Sequence, residues 1–210
     1  MTDKPAIARF PDGTPLATSR ASPETLALLE TRKSAKWAQL AAPGPAPTEL
    51  DRLLAIASRV PDHGKLAPWR FIVIEGAGRG VFGDLIARVW AKRDPNSAPP
   101  DRLALERARF ANVPVVVALV SRAAEHPKIP IWEQELSAGA AGMMLVIAAN
   151  AMGYSAAWNT GWFAYDREVM TALGLSSGER IAGIIGIGTA GEAPERTRPA
   201  LADIVSRWGE

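Results

Sequence analysis

A chain of 210 residues with 48% apolar content can bury the core of one large domain, and without cysteine it can hold no disulfide, thiolate nucleophile or Cys-ligated metal. Two histidines, His63 and His126, are too few for a multi-histidine metal centre. A formal charge of +2, with the signs mixed along the chain, argues against a nucleic-acid binder, and the lack of a leader or a ~20-residue apolar run points to a cytoplasmic protein with no membrane partner.

Residues 1–20 are polar, proline-containing and aperiodic and are expected to form a flexible N-terminal arm; residues 21–210 then make a single domain. Ser22-Pro23-Glu24 predicts a helix start, and Leu26, Leu28 and Leu29 give that helix an apolar side. It runs into Thr31-Arg32-Lys33-Ser34-Ala35-Lys36-Trp37, where three cations and a hydroxyl fall within five positions. Cations at a helix C-terminus compensate the dipole. An arginine fork beside a serine hydroxyl equally suits a phosphate. Spacing leaves both readings open.

After a proline-rich linker at residues 41–47, Thr48-Glu49-Leu50-Asp51 reads as a capping box, with Leu50, Leu53, Leu54 and Ala57 at helical spacing. That helix is expected to stop at Pro61. The loop Arg59-Val60-Pro61-Asp62-His63-Gly64-Lys65-Leu66-Ala67-Pro68-Trp69 carries two basic side chains around a histidine. It is either a rigid connection with a solvated imidazole or a binding loop between helix and strand.

Residues 70–75 read as a buried strand. Gly78-Arg79-Gly80-Val81-Phe82-Gly83 then fits a dinucleotide fingerprint, but no second strand ending in a ribose-binding acid follows the helix at 81–92. Instead a second helical stretch, 101–112, delays the next strand to 113–121. The fingerprint reading is disfavoured on that context. A long helix at 132–153 is acidic at its start and apolar or small on every side from Leu136 onward, so it must be enclosed, as a central helix or at a dimer interface. A short strand at 154–158 ends in Asn159-Thr160-Gly161-Trp162; a helix at 166–173 ends at Gly174; residues 181–189 form a glycine-rich buried strand. The tail carries Arg196 and Arg198 and an apolar-spaced run over 201–208. The fold class is α+β.

No Gly-x-Ser-x-Gly elbow, Walker motif or carboxylate pair is present, so a cofactor is expected to carry the chemistry, with no catalytic side chain and no metal. The cluster at 32–36, the His63 loop, the turn at 158–161 and the glycine-rich strand together suit a flat, phosphorylated ligand.

Those stretches resemble the flavin-dependent nitroreductase family. Arg32-Lys33-Ser34-Ala35-Lys36-Trp37 is similar to its Arg-Arg-Ser-x-Arg-x-Phe opening motif, and Pro61-Asp62-His63 through Pro68-Trp69 to the Pro-Asp-His-x-x-x-x-Pro-Trp loop of its compact YdjA-type branch. Trp132-Glu133-Gln134-Glu135-Leu136-Ser137-Ala138-Gly139 resembles that branch's start to the central helix, and Trp158-Asn159-Thr160-Gly161 stands where the branch has Trp-Arg-Ser-Gly. The resemblance runs in order from about residue 23 to residue 189.

It implies a central mixed β-sheet surrounded by helices, a long buried central helix, and an obligate homodimer with FMN at the subunit interface. Arg32, Lys33 and Ser34 would then hold the flavin phosphate, ribityl chain or ring edge, Lys36 would lie near the pyrimidine, and Trp158, Asn159 and Thr160 would line the ring. Arg59 and His63 would reach it from the partner subunit. The implied reaction is ping-pong: NAD(P)H reduces FMN, which reduces a nitroaromatic, quinone or similar small-molecule acceptor. The alternatives are other flavin chemistry on the same fold (dehalogenation, dehydrogenation or flavin fragmentation) or a non-enzymatic dimeric flavin-binding protein. Lys33 lacks the bidentate fork of the family's second arginine, and Asn159 and Thr160 replace Arg and Ser. The tail after Thr189 matches least, and Arg196 and Arg198 are its candidate phosphate ligands.

Overall fold

The computed structural model of the chain describes residues 10, 13–93 and 99–209. The expected N-terminal arm lies outside the described residues at 1–9 and 11–12; residues 13–20 are exposed and belong to no helix or strand. Four strands form one sheet in the order β1 (Trp69–Glu75), β2 (Val115–Ser121), β4 (Arg180–Gly188), β3 (Ser155–Asn159). The two middle strands are the near-continuous Val/Ile runs, since a strand with helices on both faces has no polar side.

The sheet differs from the mixed pattern implied above: every neighbouring pair is antiparallel. β3 runs in the same direction as β2, but β4 is inserted between them, so no two parallel strands become neighbours. A register shift between Leu119 and Val120 leaves Ala182 of β4 without a partner, a bulge in the centre of the sheet.

Alternation along the strands divides the core. Val115, Val117, Leu119, Ile185 and Ile187 face α2 (Pro47–Ala57) and α5 (Ile131–Ala151). Val116, Ala118, Val120 and Ile184 face the other layer, with α3 (Gly78–Arg93), α6 (Trp162–Tyr165) and α7 (Arg167–Ala172). The remaining helices are α1 (Pro23–Thr31), α4 (Pro100–Ala108) and α8 (Leu201–Ile204). Among the described residues no helix is long and apolar enough to cross a membrane.

Local chemistry explains the element ends. Ser22 caps α1, its Oγ accepting from Thr25 N–H at 3.3 Å with Pro23 behind it. Asp166 caps α7 by accepting from the N–H groups of Glu168 and Val169 at 2.8 and 3.1 Å. Helix α2 starts before the expected box at Thr48. Pro47 takes the first helical position, where its missing N–H costs nothing, and Glu49 folds back to accept from Ala46 N–H at 2.8 Å. It also stops at Ala57, short of Pro61.

The glycine fingerprint lies inside α3, not in a phosphate loop. A Cβ on Gly83 would stand 2.1 Å from the Arg107 carbonyl oxygen, so this glycine lets α3 approach the backbone of α4. Helix α5 buries Ala138, Ala141, Gly142, Leu145 and Ala149, but it is not enclosed on all sides within one chain. Trp132 and Leu136 are 67% and 53% exposed, and Ala140, Met143 and Ile147 continue their stripe only half-buried.

Candidate functional site

The outer edge of β3 anchors the first cluster. Helix α1 ends at Thr31, and Arg32 and Lys36 are already in extended backbone. Ala35 N–H donates to the Ala156 carbonyl at 3.0 Å, which lays residues 32–36 along the edge strand. The last turn of α1 contains no cation, so these side chains are not arranged as dipole compensation. Arg32 is half-buried, and its Nε is shielded from solvent with no acceptor among the described residues. A buried, unmade guanidinium donor costs about 1–3 kcal/mol, and an anion beside it would remove that cost.

Lys33 Nζ donates to the Ala193 carbonyl, which brings the chain's tail over this segment. Just beyond, the backbone N–H of Arg196 holds the Glu195 carboxyl below the usual carboxylate range, helped by the charges of Arg198 and Lys33. Ser34 is half-buried and Lys36 exposed, both without a side-chain partner among the described residues.

Trp158, at the end of β3, turns its indole inward. A Cβ on Gly142 would meet the ring at 2.5 Å and one on Gly183 at 1.8 Å, so the two glycines form a slot between α5 and β4. The side chains of Asn159 and Thr160 remain exposed and line a cavity of about 450 Å³, together with Trp37, Arg102, Arg109 and Phe110. Trp37 is fixed there by its indole N–H, which donates to the Arg109 carbonyl at 3.0 Å, and by edge contact with Phe110.

The His63 loop is built separately. Asp62 accepts from the N–H groups of Leu66 and Ala67 at 3.0 and 2.8 Å, and Ser137 Oγ donates to the Pro61 carbonyl at 2.9 Å. Gly64 has φ +75°, and a Cβ on it would meet Ile129 Cδ1 at 2.3 Å. The loop is thus held against the first turns of α5, where His63 Nδ1 lies 2.8 Å from Glu133 Oε2. His63 and Arg59 are exposed. Among the described residues no hydrogen bond, ion pair or ring contact joins either of them to residues 32–36 or 159–160.

Seven of the nine residues singled out in the sequence therefore gather around the β3 edge (Arg32, Lys33, Ser34, Lys36, Trp158, Asn159, Thr160), while Arg59 and His63 stand apart. Sequence reasoning missed the wall supplied by α4. Glu106 is fully buried and accepts from Arg109 Nε and Nη2 at 2.9 and 2.7 Å, with Arg102 Nη2 2.8 Å from its Oε1. The available signal was an acid on an inward face: Leu103, Glu106 and Phe110 share helical spacing. No cluster of His, Asp or Glu suited to a metal ion occurs among the described residues.

The matching family model is the Nitroreductase family, over residues 29–189. The chain belongs to that family. It is 35% identical over 168 residues to YdjA of Escherichia coli strain K12, whose name assigns it provisionally to the NAD(P)H nitroreductases, covering 79% of this chain and 88% of that one. Among solved structures, a nitroreductase-like family protein from Bacillus cereus superposes with a TM-score of 0.78 at 21% identity, over 93% of this chain and all 100% of that one. The FMN and NADPH-dependent nitroreductase NfnB from Sphigopyxis sp. strain HMH superposes with a TM-score of 0.68 at 19% identity, over 89% of this chain and 99% of that one. Both structural matches concern the fold.

Proposed function

We propose that the chain is an FMN-dependent NAD(P)H oxidoreductase of the cytoplasm, passing a hydride by way of FMN to a nitroaromatic, quinone or similar electron-poor acceptor. Family membership supports flavin chemistry, and the naming of YdjA and NfnB supports the cofactor and the hydride donor. The observation that carries the reading is the unpartnered, buried Arg32 Nε, held beside Lys33 on the strand edge that also opens into the 450 Å³ cavity.

The residues fit the cofactor. Arg32, Lys33 and Ser34 offer a guanidinium, an ammonium and a hydroxyl to the phosphate, ribityl chain or ring edge, and Lys36 lies at the cavity end of the same segment. Lys33 contributes a point charge without a fork, and its Ala193 contact draws Arg196 and Arg198 toward the same place as candidate phosphate ligands. Asn159 and Thr160 would line the ring edge from the cavity, and Trp158 would act through its backbone, because its indole fills the glycine slot. When bound, FMN supplies the hydride relay between NAD(P)H and the acceptor. The protein's part is to bind, to orient both substrates and to exclude water with Trp37 and Phe110.

The working unit in this reading is a homodimer, each chain contributing one domain over residues 21–210. The open stripe on α5 from Trp132 to Ile147 supports it, since an apolar helix face of this length needs a partner. Pairing through α5 would also carry Arg59 and His63, beside its first turns, toward the other subunit's flavin. The reading is tested by adding FMN to the purified, flavin-stripped protein and sizing the product. One tightly bound FMN per chain in a dimer is expected; failure to bind FMN refutes it.

A further inference from the structure

The cavity beside Asn159 and Thr160 has a cationic wall. Arg102 and Arg109 face it, while Glu106 sits behind them, fully buried and bonded to both. Two guanidinium groups and one carboxylate leave one net positive charge. Arg109 is occupied bidentately through Nε and Nη2, whereas Arg102 gives Glu106 only Nη2, and its own Nε is buried without an acceptor among the described residues.

Both arginines sit over aromatic rings. Arg109 lies over the Phe163 ring at 5.5 Å, and Arg102 over Trp90 at 4.8 Å. Trp37 and Phe110 supply the aromatic part of the lining. A fixed charge of this kind, partly shielded from water, attracts an anion more strongly than a mobile surface cation does.

We infer that this cavity selects a flat aromatic ligand bearing negative charge, with the Arg102–Glu106–Arg109 triad facing the charged edge. The inference rests on the flavin reading only for where that ligand comes from. One source is an electron acceptor carrying a carboxylate; the other is the pyrimidine edge of reduced FMN.

The test titrates 4-nitrobenzoate and its neutral isostere 4-nitrobenzamide into the full chain by calorimetry, with and without FMN and in the absence of NAD(P)H. It also compares the affinities of oxidised and reduced FMN. For an acceptor source, the acid binds about tenfold tighter than the amide. For a flavin source, the acid and amide bind alike, and reduced FMN binds about tenfold tighter than oxidised FMN.

Whichever contrast appears must follow the charge of the triad. It falls below about twofold in Arg102→Gln, which neutralises the triad, and returns in Arg102→Gln/Glu106→Gln, which restores one net positive charge. Glu106→Gln alone keeps both arginines and widens the contrast, so the series is readable even where Arg102→Gln does not fold. Neither contrast exceeding about twofold in the unaltered protein, or a contrast indifferent to these substitutions, overturns the inference. A protein that takes no FMN defeats the flavin reading alone; the acid–amide comparison on the FMN-free chain still decides this one.

Discussion

The indole of Trp158 occupies the space where a side chain on Gly183 would begin: a Cβ there would stand 1.8 Å from Nε1. This contact sets the end of β3, and with it the direction in which Asn159 and Thr160 leave the sheet. Gly183→Ala must displace the ring, and overpacking of this kind costs about 1–3 kcal/mol. The expected result is a lower Tm together with weaker FMN binding. Adding Trp158→Phe, which shortens the ring, restores much of both. Thermal unfolding and FMN titration of the single and double variants measure the coupling; no recovery in the double variant would show that the slot does not position this turn.

Arg32→Ala removes a buried guanidinium donor that lacks a partner among the described residues. A charge-assisted bond to phosphate contributes about 1.5–3 kcal/mol, so FMN affinity is expected to fall by one to two decades with little change in Tm. His63→Ala is expected to weaken FMN retention about fivefold while the dimer stays intact. Flavin content after dialysis, read from visible absorbance, checks both. Full retention in Arg32→Ala would remove this residue from the site.

The α5 stripe makes a separate prediction. Leu136→Glu places a charge in the middle of an apolar face that is 53% exposed in one chain. If that face is the subunit interface, the dimer dissociation constant rises about a hundredfold, near 3 kcal/mol. Light scattering across a dilution series should then show monomer at micromolar concentration, with FMN lost alongside. An unaltered protein that stays monomeric at the highest concentration of the same series would contradict the pairing.

At the other end of the sheet, Arg70 Nε and Nη2 bind Glu179 at 2.7 and 2.9 Å. This pairing holds the Glu179 carboxyl down at about 2, with the Ser176 N–H assisting against the opposing effect of burial. The folded-state value lies below the ordinary carboxylate value, so the stabilisation is complete above about pH 4.5 and is lost as the pH falls toward 2. Allowing for screening at this partly exposed rim, it amounts to about 1–2 kcal/mol. Arg70→Gln should therefore lower Tm at pH 7 and flatten its decline between pH 4.5 and pH 2, as followed by circular dichroism.

Much of this architecture is written in short-range signals. The apolar runs of β1, β2 and β4, the Ser22 and Asp166 caps and the length of α5 depend on residues near one another in sequence, and propensity and periodicity report them. The same locality explains why the clusters at 32–36 and 158–160 were both visible. What escaped depends on contacts between distant segments. Glu106 becomes part of a wall only because α4 packs against α3, and Gly83 reveals its purpose only where α3 meets Arg107. The inward turn of Trp158 needs Gly142 and Gly183, which come from a helix and another strand. The antiparallel pairing of β3 follows from the late arrival of β4, which no local pattern encodes.

In the proposed function, FMN held at this site carries hydride from NAD(P)H to the acceptor. The most direct test is anaerobic mixing of the FMN-loaded protein with NADH or NADPH while the flavin absorbance near 450 nm is followed. Bleaching is expected with at least one nicotinamide at about a hundred times the rate of free FMN or faster, a barrier lowered by about 3 kcal/mol, followed by return of the colour on adding a nitroaromatic or quinone. Bound flavin that both nicotinamides reduce no faster than free FMN would contradict it and leave a flavin-binding protein without this activity.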